Sequence, residues 1–146
     1  MSTRSLVRFV TREEGVSFSK HPERVEVQIY KHYDGYPSGH PVDLAKFLNR
    51  FRIINGLTND SVKVANGLGC LAAQYIEVFK MEPGDLYVEH PDTNHFDIEY
   101  ITYVWGADNK DIWMSIFSIS PWSDKEDECV FVGKPQELID KYEYDD

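Results

Sequence analysis

Residues 97–120 read Asp-Ile-Glu-Tyr-Ile-Thr-Tyr-Val-Trp-Gly-Ala-Asp-Asn-Lys-Asp-Ile-Trp-Met-Ser-Ile-Phe-Ser-Ile-Ser. Asp97 to Trp105 and Asp111 to Ser120 are two runs rich in β-branched and aromatic side chains. Such residues suit a pleated, packed surface. Gly106 to Lys110 between them has the glycine, Asp and Asn of a hairpin loop. This hairpin sets the reading of the whole chain: its C-terminal half is built on strands.

Downstream, Cys129 to Val132 reads as a further short strand. Gly133-Lys134-Pro135 then leads into a last helix carrying Leu138, Ile139 and Tyr142. Upstream, Asp85 to Glu89 reads as a short strand behind the Pro83-Gly84 break. Before it, Leu68, Leu71, Ala72, Tyr75, Ile76 and Phe79 keep a helical period, with Asp60 or Ser61 as caps. Gly67 and Gly69 imply either that this helix starts at Cys70 or that another backbone packs closely there.

An earlier helix opens near Pro41 and carries Leu44, Phe47, Leu48 and Phe51 as one stripe, ended by Asn55-Gly56. Residues 5–10 and Val25 to Tyr30 read as strands able to pair antiparallel across the polar loop of Thr11 to Pro22. The order strands, helices, strands, helix gives an α+β domain over residues 1–146: an antiparallel or mixed sheet with two or three helices packed on it.

The 146 residues suit one domain able to bury a core without a metal or disulfide. The formal net charge of −10 disfavours direct binding of nucleic acid or an anionic membrane, which needs clustered Lys and Arg. Acidity serves solubility; it also permits mimicry of nucleic-acid charge against a basic host protein. Part of it lies in a tail at 143–146. No apolar segment is long enough to cross a bilayer, and the N-terminus lacks a signal-peptide pattern, so a cytoplasmic protein is expected. Cys70 and Cys129 then read as buried thiols.

Tyr30 to His40 gathers two imidazoles, a carboxylate and three phenols around the turn Asp34-Gly35-Tyr36-Pro37-Ser38-Gly39. Two readings stand: a turn that locks the chain into the following helix, or a binding loop on a rigid scaffold. In the second, Arg4 pairs with Asp34 or anchors an anion, Asp34 or His32 moves protons, Asn66 and Gln74 orient a ligand, and Tyr36 joins them as a ligand-binding residue. Asn66-Gly67-Leu68-Gly69-Cys70 lacks the Lys-Ser/Thr of a phosphate loop. Glu89, His90, Asp92, His95 and Asp97 have the residue types for a divalent metal but the spacing of no zinc motif. No metal, no cofactor and no catalytic residue are therefore assigned.

Met1-Ser2-Thr3-Arg4, Asp34-Gly35-Tyr36-Pro37-Ser38-Gly39 and Asn66-Gly67-Leu68-Gly69-Cys70-Leu71-Ala72-Ala73-Gln74, with Pro83-Gly84 and Glu99 to Tyr103, resemble a family of small uncharacterised proteins of prokaryotes and their viruses. The likeness runs from Met1 to about Trp105. It implies no activity, cofactor or site residue, and similar proteins carry Gln or another residue at the position of His32. The expectation is a non-catalytic binding or regulatory module of viral or mobile-element type. It acts on a protein partner, and a homo-oligomer through the edges of the C-terminal hairpin is possible. The alternatives are a small-ligand binder or enzyme using Arg4, Asp34 and Asn66, and the acidic mimic.

Overall fold

The computed structural model describes residues 2–55, 63–120 and 123–144. Its centre is a six-stranded sheet made of β1 (Ser5–Thr11), β2 (Val27–Lys31), β5 (Leu86–Glu89), β6 (Tyr100–Gly106), β7 (Trp113–Ser118) and β8 (Glu128–Gly133). The spatial order is β5-β2-β1-β6-β7-β8. Every neighbouring pair is antiparallel except β1 and β6, which run parallel with Ser5 opposite Tyr100 and Thr11 opposite Gly106. A second sheet pairs β3 (Phe51–Ile54) in parallel with β4 (Lys63–Asn66). Helices α1 (His40–Leu48), α2 (Gly67–Phe79) and α3 (Pro135–Tyr142) complete an α+β fold, as the order of segments predicts.

The sheet separates two apolar layers. Val7, Phe9, Ile29, Val104, Met114 and Ile116 meet Leu44 and Leu48 of α1, Leu71 and Tyr75 of α2, and Leu138 of α3. Leu6, Val10, Tyr30, Ile101, Tyr103, Trp105 and Phe117 form the opposite face, covered by Val16, Phe18 and Val25 of the loop between β1 and β2. Burial on both faces explains why β1 and β6 are near-continuous apolar runs rather than alternating ones. Each fully buried large side chain stabilises the fold by roughly 1.5–3 kcal/mol relative to exposure.

Three expectations are corrected. The first helix ends at Leu48; Phe51 opens β3 instead of extending the stripe. Gly67 begins α2, and neither cause offered for the glycines applies. A Cβ at Gly67 or Gly69 would meet no atom within 4 Å, and Gly67 is needed for its φ of +82°. The close approach occurs at Gly106, where a Cβ would collide with Ile53 and Leu68. The edges of the C-terminal hairpin are not free: β1 covers β6 and β8 covers β7, leaving β5 and β8 as the outer strands. Gly56 and the caps Asp60 and Ser61 lie outside the described residues, as do Asp145 and Asp146 of the acidic tail.

Candidate functional site

Strand β2 places Val27, Ile29 and Lys31 on the same face, so the helix-covered layer ends in a lysine. Lys31 is buried, and its Nζ meets both carboxylate oxygens of Asp85 at 2.7 Å. A buried cation needs such a partner. The backbone fixes Asp85 in this position. Asp85 has a φ of 65°, follows Gly84 at a φ of 86°, and accepts the Tyr33 backbone N–H at 3.2 Å.

Beyond β2 the chain turns through an elbow, residues 33–39. Gly35 bonds Thr3 O through its N–H at 2.9 Å, and a Cβ there would strike Ser5. Asp34 has a φ of 60°, and its carbonyl accepts the His40 N–H at 2.7 Å. Two non-glycine residues in the left-handed region, Asp34 and Asp85, thus face one place in the fold. Local strain of this kind concentrates at functional sites.

That place is a cavity of about 390 Å³ lined by Lys31, Asp34, Tyr36, Ser38, Gly39, His40, Asp43, Phe79 and Asp85. Its volume lies in the range of small-molecule sites. His40, at 5% exposure, forms part of the wall. Its Nε2 lies 2.6 Å from the hydroxyl of Tyr75, which is fully buried. Burial, reinforced by the Lys31 charge and opposed by Asp85, pushes His40 from 6.5 down to about 3. Burial also pushes the Tyr75 hydroxyl far up, so it keeps its proton.

With both groups neutral, hydrogen-bond accounting assigns the tautomer. The Tyr75 O–H has one acceptor among the described residues, the His40 Nε2 lone pair. A buried hydroxyl left without an acceptor is costly. Tyr75 therefore donates, and the imidazole proton sits on Nδ1, which has no hydrogen-bond partner among the described residues. His40, a residue of the cavity wall, then carries its proton on the nitrogen that Tyr75 does not engage. Around it, Lys31 is neutralised by Asp85, while Asp34 and Asp43 form no ion pair among the described residues. Among the described residues the Asp34 carboxylate accepts only a long 3.5 Å bond, from the Tyr36 hydroxyl.

The six residues singled out from sequence separate. Asp34 and Tyr36 line the cavity. Arg4 does not pair with Asp34; its Nε stands 3.4 Å from Asp97, a charge contact without hydrogen-bond geometry. His32 turns to the other face, where its Nδ1 is 3.4 Å from the Tyr30 hydroxyl. Asn66 ends β4, and Gln74 braces α2 by donating to Val64 O at 3.1 Å. No described cavity is lined by both the Arg4–Asp34 group and the Asn66–Gln74 group. The space beside the start of α2 is lined by Glu26 and Asp108, which oppose an anion there.

Of the possible metal ligands, His95 Nε2 bonds Glu89 at 2.7 Å and its Nδ1 is 4.0 Å from Asp97, while His90 faces Asp92 at 3.7 Å. Among the described residues no three such groups converge on one point.

Lys31, His40, Tyr75 and Asp85 were missed as site residues. The signal for Lys31 was present: a lysine continuing the inward parity of Val27 and Ile29 requires a counter-ion. No family model matches the sequence, and no curated protein or solved structure is similar to it.

Proposed function

We propose that the protein is a non-catalytic binding module that grips a cationic group, an ammonium or guanidinium, in the elbow cavity. The observation that carries this reading is the distribution of charge. Lys31 and Asp85 cancel, whereas Asp34 forms no ion pair among the described residues, and Asp43, which shares the Lys46 charge with Glu143, adds a second carboxylate to a wall that also holds the aromatic rings of Tyr36 and Phe79. A cation beside carboxylates and ring faces gains from both. The His40 Nδ1–H supplies a donor for an acceptor atom on the same ligand.

Binding is favoured over proton transfer because the inner groups hold one protonation state near neutrality. His40 at about 3 is too weak a base, and Tyr75 too weak an acid, for general acid–base work at pH 7. In this reading the ligand is a Lys or Arg side chain of a partner protein, to which a net charge of −10 is complementary. The protein works in the cytoplasm, where Cys70 and Cys129 stay as free thiols. None of the described helices is long and apolar enough to cross a membrane.

Butylammonium and butylguanidinium, titrated against the isotope-labelled protein, are expected to shift the amide signals of Asp34 and His40 in the millimolar range, with butyrate silent. D34N and D43N should each weaken the response. Butyrate binding as well as the cations, or no shift at the elbow, would overturn the reading.

A further inference from the structure

The two outer strands of the sheet are guarded unequally. At β8 the Val130 carbonyl is taken by Lys141 Nζ at 3.2 Å and the Tyr142 hydroxyl at 3.4 Å, and the register shifts between Ile116 and Phe117. Bulges and lysines are the usual means of closing an edge. Strand β5 has neither a proline nor a bulge, and its lysine guard, Lys80, caps the Leu86 carbonyl at one end of the strand and leaves Val88 open.

The direction of the free backbone groups follows from the pairing. Lys80 Nζ donates to Leu86 O at 3.0 Å, so Leu86 points its carbonyl away from β2. Orientation alternates along an antiparallel strand. The N–H and C=O of Val88 therefore point outward as well, and neither has a partner among the described residues. Val88 is 66% exposed and Tyr87 50% exposed. Met81, five residues before Leu86, is also exposed.

The elbow cavity opens at the head of the same strand, since Asp85 immediately precedes Leu86 and lines it. From Val88 to Asp85 is about 10 Å along an extended chain. One segment can reach both.

We infer that β5 is a docking edge: an extended segment of a partner protein adds as a further strand beside Val88 and inserts a Lys or Arg side chain between Asp34 and Asp43. This rests on the cation reading of the cavity and adds the partner's form to it. Main-chain bonds at an open edge give affinity, and side-chain pockets give specificity. The segment's charge is set by the Asp34 and Asp43 carboxylates of the cavity wall, and its extended shape by the outward-facing Val88 amide. Lys80 gives up Leu86 O as the strand arrives.

The test uses the full chain and blocked octapeptides of alternating Thr and Val with one Lys, its position stepped along the peptide. The best peptide should bind at least ten times more tightly than butylammonium and slow exchange of the Val88 amide. Its Lys should lie three or four residues from the one that protects Val88. N-methylation at the pairing residue, or V88P in the protein, should return affinity to the butylammonium level. V88P removes an outward N–H that the fold does not use. Peptides unaffected by N-methylation, or a Val88 amide that stays unprotected, would overturn the docking edge while leaving the cavity reading intact. Protection of Val88 that grows with protein concentration alone would identify a second copy as the occupant and also overturn it. Failure of butylammonium itself would instead remove the cavity reading.

Discussion

The molecule contains two histidine–tyrosine contacts of the same length, 2.6 Å, on opposite faces of one sheet: His40 with Tyr75, and His21 with Tyr103. The first lies among α1 and α2, with Nε2 engaged by Tyr75 and the imidazole forming part of a cavity wall. The second sits under the loop between β1 and β2, where the His21 side chain is 37% exposed, stacks on Phe117 at 4.1 Å and bonds Asp127 at 2.9 Å. Tyr103 also takes a bond from Arg8 at 3.1 Å, and Arg8 bonds Gln28, which bonds Glu89. The contact is one and the same; the surroundings differ. Among helices it is an isolated pair that burial strips of charge. On the open face it is a link in a polar row that follows the strand register from Glu89 to Tyr103.

The largest test of this contrast is pH. The folded chain holds His40 at about 3, below the 6.5 of the unfolded chain. The unfolded state therefore binds a proton that the folded state refuses. The stability this represents is complete above pH 6.5 and is lost as pH falls toward about 3. The slope approaches about 1.4 kcal/mol per pH unit below pH 6.5, so about 2 kcal/mol is lost between pH 6.5 and 4.5. Urea denaturation at those two pH values should show this loss in the wild type, and a correspondingly smaller one in H40Q. Equal losses would break the contrast.

Next in size is Tyr75→Phe, which leaves His40 Nε2 buried without a donor and should cost about 1–3 kcal/mol. Tyr103→Phe should cost less, about 0.5–1.5 kcal/mol, because its partners His21 and Arg8 reach water. Chemical denaturation of the pair ranks them, and the reverse order would refute the account. The smallest effect is Asp127→Asn, under about 1 kcal/mol for a half-exposed pair. It should appear as faster hydrogen exchange and proteolysis within residues 12–26 rather than as a shifted midpoint.

The fold class was legible because runs such as Asp111 to Ser120 and stripes such as Leu71, Tyr75 and Phe79 carry their period openly. The β1–β2 pairing was legible for the same reason. The place of β6 beside β1 was not, since a parallel register leaves no turn signal between partners so far apart in sequence. Phe51 misled because its spacing continues a helical stripe, while tertiary pairing with β4 decides its state. Within the site, Asp34 and Tyr36 stand out as turn residues. Tyr75 looks like any core aromatic until His40 is placed against it, and Arg4 finds Asp97 only once β6 has been aligned.

The parallel pairing has a consequence for biosynthesis. Residues such as Arg8 and Tyr103 meet across a separation of 95 positions. As the chain leaves the ribosome, β1 must wait beside β2 with its other margin bare until β6 emerges. Closing so long a loop is slow compared with forming a hairpin. Until then the nascent β1–β2 ribbon exposes apolar side chains on both faces.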